Sequence, residues 1–230
     1  MSSNTKKRIV FYISLYFAVG FILFLAQKKF IYFPSQPISH NYQSIDIENE
    51  NFNINVIVLN SDISASKAII YFGGNAETVA YNASDFIKEF PDHIVYLVNY
   101  RGYGRSTGSP DEKGIYSDAL KVFDSIDLKS ESIVLMGRSL GSGVATYVAS
   151  KRRISKLVLV TPFDSIQSVA QSKILLYPMS ILLTQKFLSA ERVKNIKSKC
   201  LILIAENDEV IPFKNSIKLV SAFSKNQITY

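Results

Sequence analysis

The stretch SIVLMGRSLGSGVATYVAS, residues 132–150, decides the fold. Its first half is an unbroken apolar, β-branched run of strand length, the pattern of a strand covered on both faces. Its second half carries small residues at helical spacing. Between them lies Gly137-Arg138-Ser139-Leu140-Gly141, a G-x-S-x-G that matches the nucleophile elbow. That turn thrusts a hydroxyl above the edge of a sheet, and only small residues two positions either side let the backbone close so tightly. The following helix offers its N-terminal N–H groups and dipole to a developing oxyanion. The plainer alternative is an ordinary strand-to-helix turn in which Ser139 caps the helix.

The same kind of run recurs along the chain. KAIIYF (67–72), HIVYLVNY (93–100), KLVLV (156–160) and CLILIA (200–205) are short, β-branched and unalternated, as parallel strands between helical layers are. Upstream, SIDIENENFNINVIVLN alternates around an asparagine-rich turn and predicts two antiparallel strands. Helices are expected over ETVAYNASDFIKEF, over SPDEKGIYSDALKVFDSI and over 213–224. The second opens with Ser109, Pro110 and Glu112, read as a capping box. This alternation predicts an α/β fold, a doubly wound, mostly parallel sheet. Residues 163–199 exceed a simple crossover and hold the apolar ILLYPMSILL, which predicts a small cap.

A serine nucleophile needs partners. Gly73-Gly74-Asn75 follows the strand at 67–72, where paired glycines let backbone N–H groups converge, and the Asn75 N–H is the expected donor. The acid belongs on a later strand end, and AENDEVIP supplies it. Asp208 is preferred to Glu206 and Glu209 because it lies one short turn past the strand. Asp164 is the alternative acid, and a helix-capping role for Asp208 is the bland one.

Together these segments resemble the α/β-hydrolase superfamily, in particular its branch of small, single-pass, membrane-anchored serine hydrolases. The resemblance is carried by QKKFIYFPS, YFGGNAE, NYRGYGRSTGSPDEKGIYSDA, GRSLGSGVA, TPFDSI and AENDEVIP, nearly the whole chain. It implies Ser139 as nucleophile, Asp208 as acid, and backbone N–H groups of Asn75 and Leu140, with Gly74 beside them, as the oxyanion hole. Relatives carry His-Gly where this chain has Gly73-Gly74, a mild departure because the donor is backbone.

The larger departure concerns the base. The elbow order is serine, acid, histidine, yet the two histidines, His40 and His93, both precede Ser139. His40 falls in the tether and His93 at the N-terminal edge of the sheet, opposite the elbow. ITY (228–230) begins one further strand, and in relatives the histidine follows that strand. The expectation is therefore that these 230 residues lack the last strand and helix together with the catalytic histidine. The rival is a natural pseudo-hydrolase.

The net charge of +7 is concentrated at the N-terminus. Lys6, Lys7, Arg8, Lys28 and Lys29 account for five positive charges, leaving 21 basic against 19 acidic residues from 31 onward. That balance argues against a nucleic-acid partner. Between the two basic clusters, Ile9 to Ala26 is uncharged and as a helix spans roughly 27 Å, close to the hydrocarbon thickness. FLAQKKFIYF follows it, which suits an uncleaved anchor better than a signal peptide. Three positive residues before the span and two after it place the N-terminus in the cytoplasm and the catalytic domain across the membrane. Cys200 is the single cysteine and forms no intrachain disulfide. Gly102, Gly104 and Gly108 miss dinucleotide-loop spacing, no Cys/His cluster points to a metal, and no cofactor is expected.

The organisation expected is a tail (1–8), a transmembrane anchor (9–26), a tether (27–43) and an α/β-hydrolase domain (44–230) with its cap at 163–199. The expected function is a membrane-anchored serine hydrolase acting on an ester, thioester or amide of a small-molecule, acylated or lipid-like substrate. The alternative is an inactive anchored protein of the same fold that binds partners.

Overall fold

A computed structural model describes residues 2–63, 65–129 and 132–230. The asparagine-rich stretch turns between β1 (Gln43–Asn49) and β2 (Phe52–Leu59), an antiparallel hairpin closed at Glu50, whose φ is 57°. The apolar runs become β3 (Ala68–Phe72), β4 (Ile94–Val98), β5 (Ile133–Arg138), β6 (Lys156–Val160) and β7 (Lys199–Leu203). With β8 (Ile228–Thr229) they form one sheet in the order β1-β2-β4-β3-β5-β6-β7-β8. Strands from β4 to β8 run parallel, and β2 joins β4 antiparallel. The last strand, expected to be lacking, is present as these two residues.

Helices cover the sheet as the apolar runs require. Ile69 and Tyr71 pack with Val95 and Leu97 beneath α2 (Ala83–Glu89), which follows a single 3₁₀ turn at Val79–Asn82. Alternate residues on the opposite face, among them Ile70, Phe72, Leu135, Leu157 and Ile202, pack against α3 (Glu112–Asp124), α4 (Leu140–Lys151) and α8 (Phe213–Val220). Cys200 is buried there, and burial pushes its thiol pKa up to about 12. Between β6 and β7 lie α5 (Ile166–Lys173), α6 (Met179–Leu182) and α7 (Ser189–Arg192).

The capping box read at Ser109 is corrected. α3 begins at Glu112, and its N-cap is Asp111, whose side chain accepts from the Gly114 N–H at 2.9 Å. Glu112 instead reaches across the fold, accepting from the backbone N–H groups of Lys186 (2.6 Å) and Phe187 (3.0 Å).

The N-terminal helix α1 (Ser3–Ile31) extends beyond both ends of the apolar span, with mean hydropathy 2.5 over its most apolar window. It is long and apolar enough to cross a membrane. Tyr16, Gly20, Leu23, Gln27 and Ile31 form its less exposed stripe, at the i, i+4, i+7 spacing of one helix face, and this stripe meets Tyr177, Met179 and Leu183.

Candidate active site

Ser139 sits between β5 and α4 with φ 49° and ψ −116°. This sparsely populated conformation costs about 1–3 kcal/mol and persists only where the surroundings impose it. They do so here through backbone bonds. The Ser139 N–H donates to the Val160 carbonyl at 2.9 Å, and its carbonyl accepts from Ser142 N–H (2.9 Å) and Ser142 Oγ (2.6 Å). The flanking glycines are sterically required, because a Cβ on Gly141 would overlap the Phe72 carbonyl and one on Gly137 would overlap that of Gly141. The serine is thereby raised at the C-terminal edge of β5, beside the end of β3. That is where the strand order reverses, the place at which open α/β sheets bind ligands.

The loop after β3 comes to the same place. A Cβ on Gly74 would lie 3.8 Å from that of Ser139. The Gly74 N–H itself is spent, donating to Glu77 Oε2 at 2.6 Å, so Gly74 leaves the set of expected oxyanion donors. Among the described residues, the N–H groups of Asn75 and Leu140 donate to no partner. Glu77 is fixed by Tyr71 (2.7 Å) and Asn82 (2.5 Å), and Arg138 approaches it at 3.6 Å. Burial, and then Glu77, raise the Tyr71 pKa, so the phenol stays a donor.

Two tyrosines hold this loop. Tyr100 Oη donates to the Gly73 carbonyl and Tyr103 Oη to Asn75 Oδ1, both at 2.7 Å. Burial raises the Tyr100 pKa well above its ordinary value and pushes that of Tyr103 up to about 12, which keeps both protonated. Asn75 also ties the loop to α1, donating to the Ile31 carbonyl (2.6 Å) and accepting from the Phe33 N–H (2.9 Å). The motif NYRGYG contains Tyr100 and Tyr103 but carries no local mark of their roles, nor does YFGGNAE of that of Glu77. The signal available was that an otherwise soluble-looking loop spends two aromatics within four residues.

Asp208 lies in the loop after β7, where its Oδ1 accepts from the N–H groups of Val210 and Ile211 at 2.8 Å each. Its other oxygen has no hydrogen-bond partner among the described residues. Asp164, the alternative acid, is buried and committed elsewhere, to Asn215 Nδ2 (2.8 Å) and Lys218 Nζ (2.7 Å). Glu206 and Glu209 are exposed. His93 precedes β4, at the edge opposite the elbow, with its pKa lowered by burial and then by Lys67. His40 stacks obliquely on Tyr42 at 5.6 Å, before β1. The structure therefore gathers Ser139, Leu140 and Asn75, and leaves both histidines away from them.

Ser139, Leu140 and Asn75 line a cavity of about 440 Å³. Its remaining walls are almost wholly apolar: Leu23, Phe30 and Ile31 from α1 and its end, Ile166, Val169 and Leu182 from the β6–β7 connection, and Val210 and Ile211 from the Asp208 loop. Among the described residues no three His, Cys, Asp or Glu side chains gather as metal ligands do.

A family model described as the alpha/beta hydrolase fold matches residues 67–190, more than half of the chain. The chain belongs to the α/β-hydrolase family. Lysophosphatidylserine lipase ABHD12 of Macaca fascicularis is 34% identical over 187 residues, covering 69% of this chain and 46% of that protein. The Gallus gallus protein of the same name is 34% identical over 185 residues, covering 68% and 47%. The chain thus spans about half the length of the curated relatives it matches. Among solved structures, the Pyrococcus furiosus esterase Pf2001 superposes with a TM-score of 0.66 at 17% identity, covering 86% of each chain, a likeness of fold.

Proposed function

We propose that the chain forms a membrane-anchored serine hydrolase that cleaves an ester, thioester or amide of an acylated, lipid-like substrate through an acyl-enzyme. One observation carries this reading. Ser139, held at positive φ beside two uncommitted N–H groups, forms the polar end of an apolar cavity. A cavity whose walls are mostly Leu, Ile and Phe retains an acyl chain and offers little to a sugar or a peptide backbone. The lysophosphatidylserine lipase relatives support an acyl ester of a lipid as the substrate.

In this mechanism Ser139 Oγ attacks the carbonyl carbon and gives its proton to a histidine that Asp208 orients. The Asn75 and Leu140 N–H groups receive the negative charge on the carbonyl oxygen, where each preorganised donor contributes about 3 kcal/mol. Collapse expels the alcohol, thiol or amine with that proton, and water then releases the acid by the same route. In elbow order that histidine follows the acid. α1 anchors the protein, with its N-terminus in the cytoplasm and the catalytic domain across the membrane.

Fluorophosphonate labelling of the full-length protein tests the nucleophile. Labelling is expected to disappear in Ser139→Ala; equal labelling of both proteins refutes the assignment. Hydrolysis confined to short, water-soluble esters, with micellar long-chain esters untouched, refutes the lipid-like substrate.

A second reading is an inactive anchored protein that binds a ligand in the same cavity. It is favoured by the placement of His40 and His93 away from Ser139. Full-length protein that resists fluorophosphonate yet retains a long-chain ester analogue in the cavity supports it.

A further inference from the structure

The geometry points to a second membrane-embedded element: residues 174–183, between α5 and the end of α6, lie within the apolar layer beside α1, reaching its middle, and present the cavity wall to the lipid chains. This rests on the reading of α1 as a membrane span, and not on catalysis by Ser139.

The placement follows from where the segment touches α1. Tyr16 stacks on Tyr177 with ring centroids 4.6 Å apart and planes 14° from parallel. Tyr16 Oη donates to the Leu176 carbonyl (3.1 Å), and Tyr177 Oη donates to the Tyr16 carbonyl (3.0 Å). Gly20 lets the ring approach, since a Cβ there would stand 2.9 Å from Tyr177 Cε1. Tyr16 lies twelve residues before Lys28, roughly 18 Å along the helix axis. The basic pair Lys28-Lys29 marks the interface, and half the hydrocarbon thickness is about 15 Å. The contact therefore falls inside the apolar layer for any ordinary tilt.

The segment is built for that layer. ILLYPMSILLTQ, residues 174–185, is uncharged between Lys173 and Lys186. Leu175, Leu176 and Ile181 are 83%, 70% and 81% exposed, which a water-facing loop has no reason to show three times in seven residues. Non-helical backbone at membrane depth needs internal partners for its polar groups, and the carbonyls of Ile174 and of residues 176–180 have them, while the N–H groups of Leu175, Leu176 and Tyr177 donate to no partner among the described residues. Gln171 Nε2 donates to the carbonyls of Ile174 (3.0 Å) and Tyr177 (3.2 Å), while its Oε1 accepts from the Met179 N–H (2.9 Å). The Pro178 carbonyl accepts from Ile181 and Leu182, and Lys186 Nζ covers that of Ser180 at 2.7 Å. Buried Gln27 accepts from both Thr184 N–H (2.8 Å) and Thr184 Oγ1 (2.9 Å). Tyr16, Gln171 and Lys186 thus pair carbonyls of an irregular segment that helical bonding does not reach. The cavity wall formed by Leu23, Ile174, Met179 and Leu182 then adjoins acyl chains, not water.

The chain contains no tryptophan, so one introduced indole reports alone. Leu176→Trp, Ile181→Trp, Phe11→Trp and Asp92→Trp variants of this chain are reconstituted in phosphatidylcholine vesicles whose acyl chains are brominated. Phe11 is exposed on α1, and Asp92 is exposed at the sheet edge opposite the elbow. Emission from positions 176, 181 and 11 is expected to fall about twofold or more, as for an indole within the hydrocarbon, with position 92 little changed. Quenching at 11 with 176 and 181 no more affected than 92 overturns the embedding of this segment. Absence of quenching at 11 as well overturns the membrane span together with it. Neither outcome depends on hydrolase activity.

Discussion

At the scale of single residues, the loop beside Ser139 rests on side chains outside the cavity lining. Tyr103 bridges Asn75 Oδ1 (2.7 Å) and the Phe33 N–H (3.1 Å), so it sets the direction of the neighbouring Asn75 N–H. Tyr103→Phe is expected to slow fluorophosphonate labelling of the full-length protein about tenfold, a fraction of a full oxyanion donor. Its unfolding free energy in urea should fall by only about 1 kcal/mol, the net worth of a hydrogen bond. An unchanged labelling rate would show that Asn75 needs no such support. Ser139 was legible because its motif is local: five residues spell the turn, and the steric demand on Gly137 and Gly141 is a consequence of that spelling. The use of the Gly74 N–H by Glu77 was not legible. It depends on a carboxylate steered back by Tyr71 and Asn82, and no local rule distinguishes that from a solvated Glu.

At the scale of elements, every apolar run became a strand within a residue or two of its expected limits, because continuous β-branched segments have few other ways to be buried on both sides. Helix starts were less legible. Ser109-Pro110-Asp111-Glu112 offers two N-caps, and the sequence alone does not show that Glu112 is needed by Lys186 and Phe187 seventy-odd residues on. Beside the apolar contact of the β1–β2 hairpin with α3 lies a buried polar cluster. Arg101 meets Asp118 through Nε (2.7 Å) and Nη2 (2.8 Å), with both side chains buried, and Asn49 Nδ2 donates to the same carboxylate at 2.7 Å. Asp118→Ala leaves a buried guanidinium unpaired and should cost about 3–5 kcal/mol. A urea midpoint shift equivalent to under about 1 kcal/mol would mean that water reaches Arg101 after all.

At the scale of the whole molecule, α1 and the hydrolase fold share a cavity. Phe30, Ile31 and Phe33 line it, and the Ile31 carbonyl and Phe33 N–H hold Asn75. Full-length protein shortened by residues 1–26 is expected to label with fluorophosphonate nearly as fast as the parent in detergent. Removing seven more residues should slow labelling at least about tenfold, through loss of Asn75 positioning. Equal rates for the two would separate anchor from site. Among the described residues no histidine reaches Ser139, so any labelling of this chain should rise about tenfold per pH unit from pH 6 to 8, as hydroxide does. A plateau with an apparent pKa near 6.5 would instead show an imidazole at work. Buried Cys200 has a last, practical consequence. Burial pushes its pKa up to about 12, so at neutral pH the thiol stays protonated and reacts slowly with maleimides and oxidants. The native chain is already a silent background, and a cysteine placed anywhere on its surface can be labelled, crosslinked or measured without first engineering the protein.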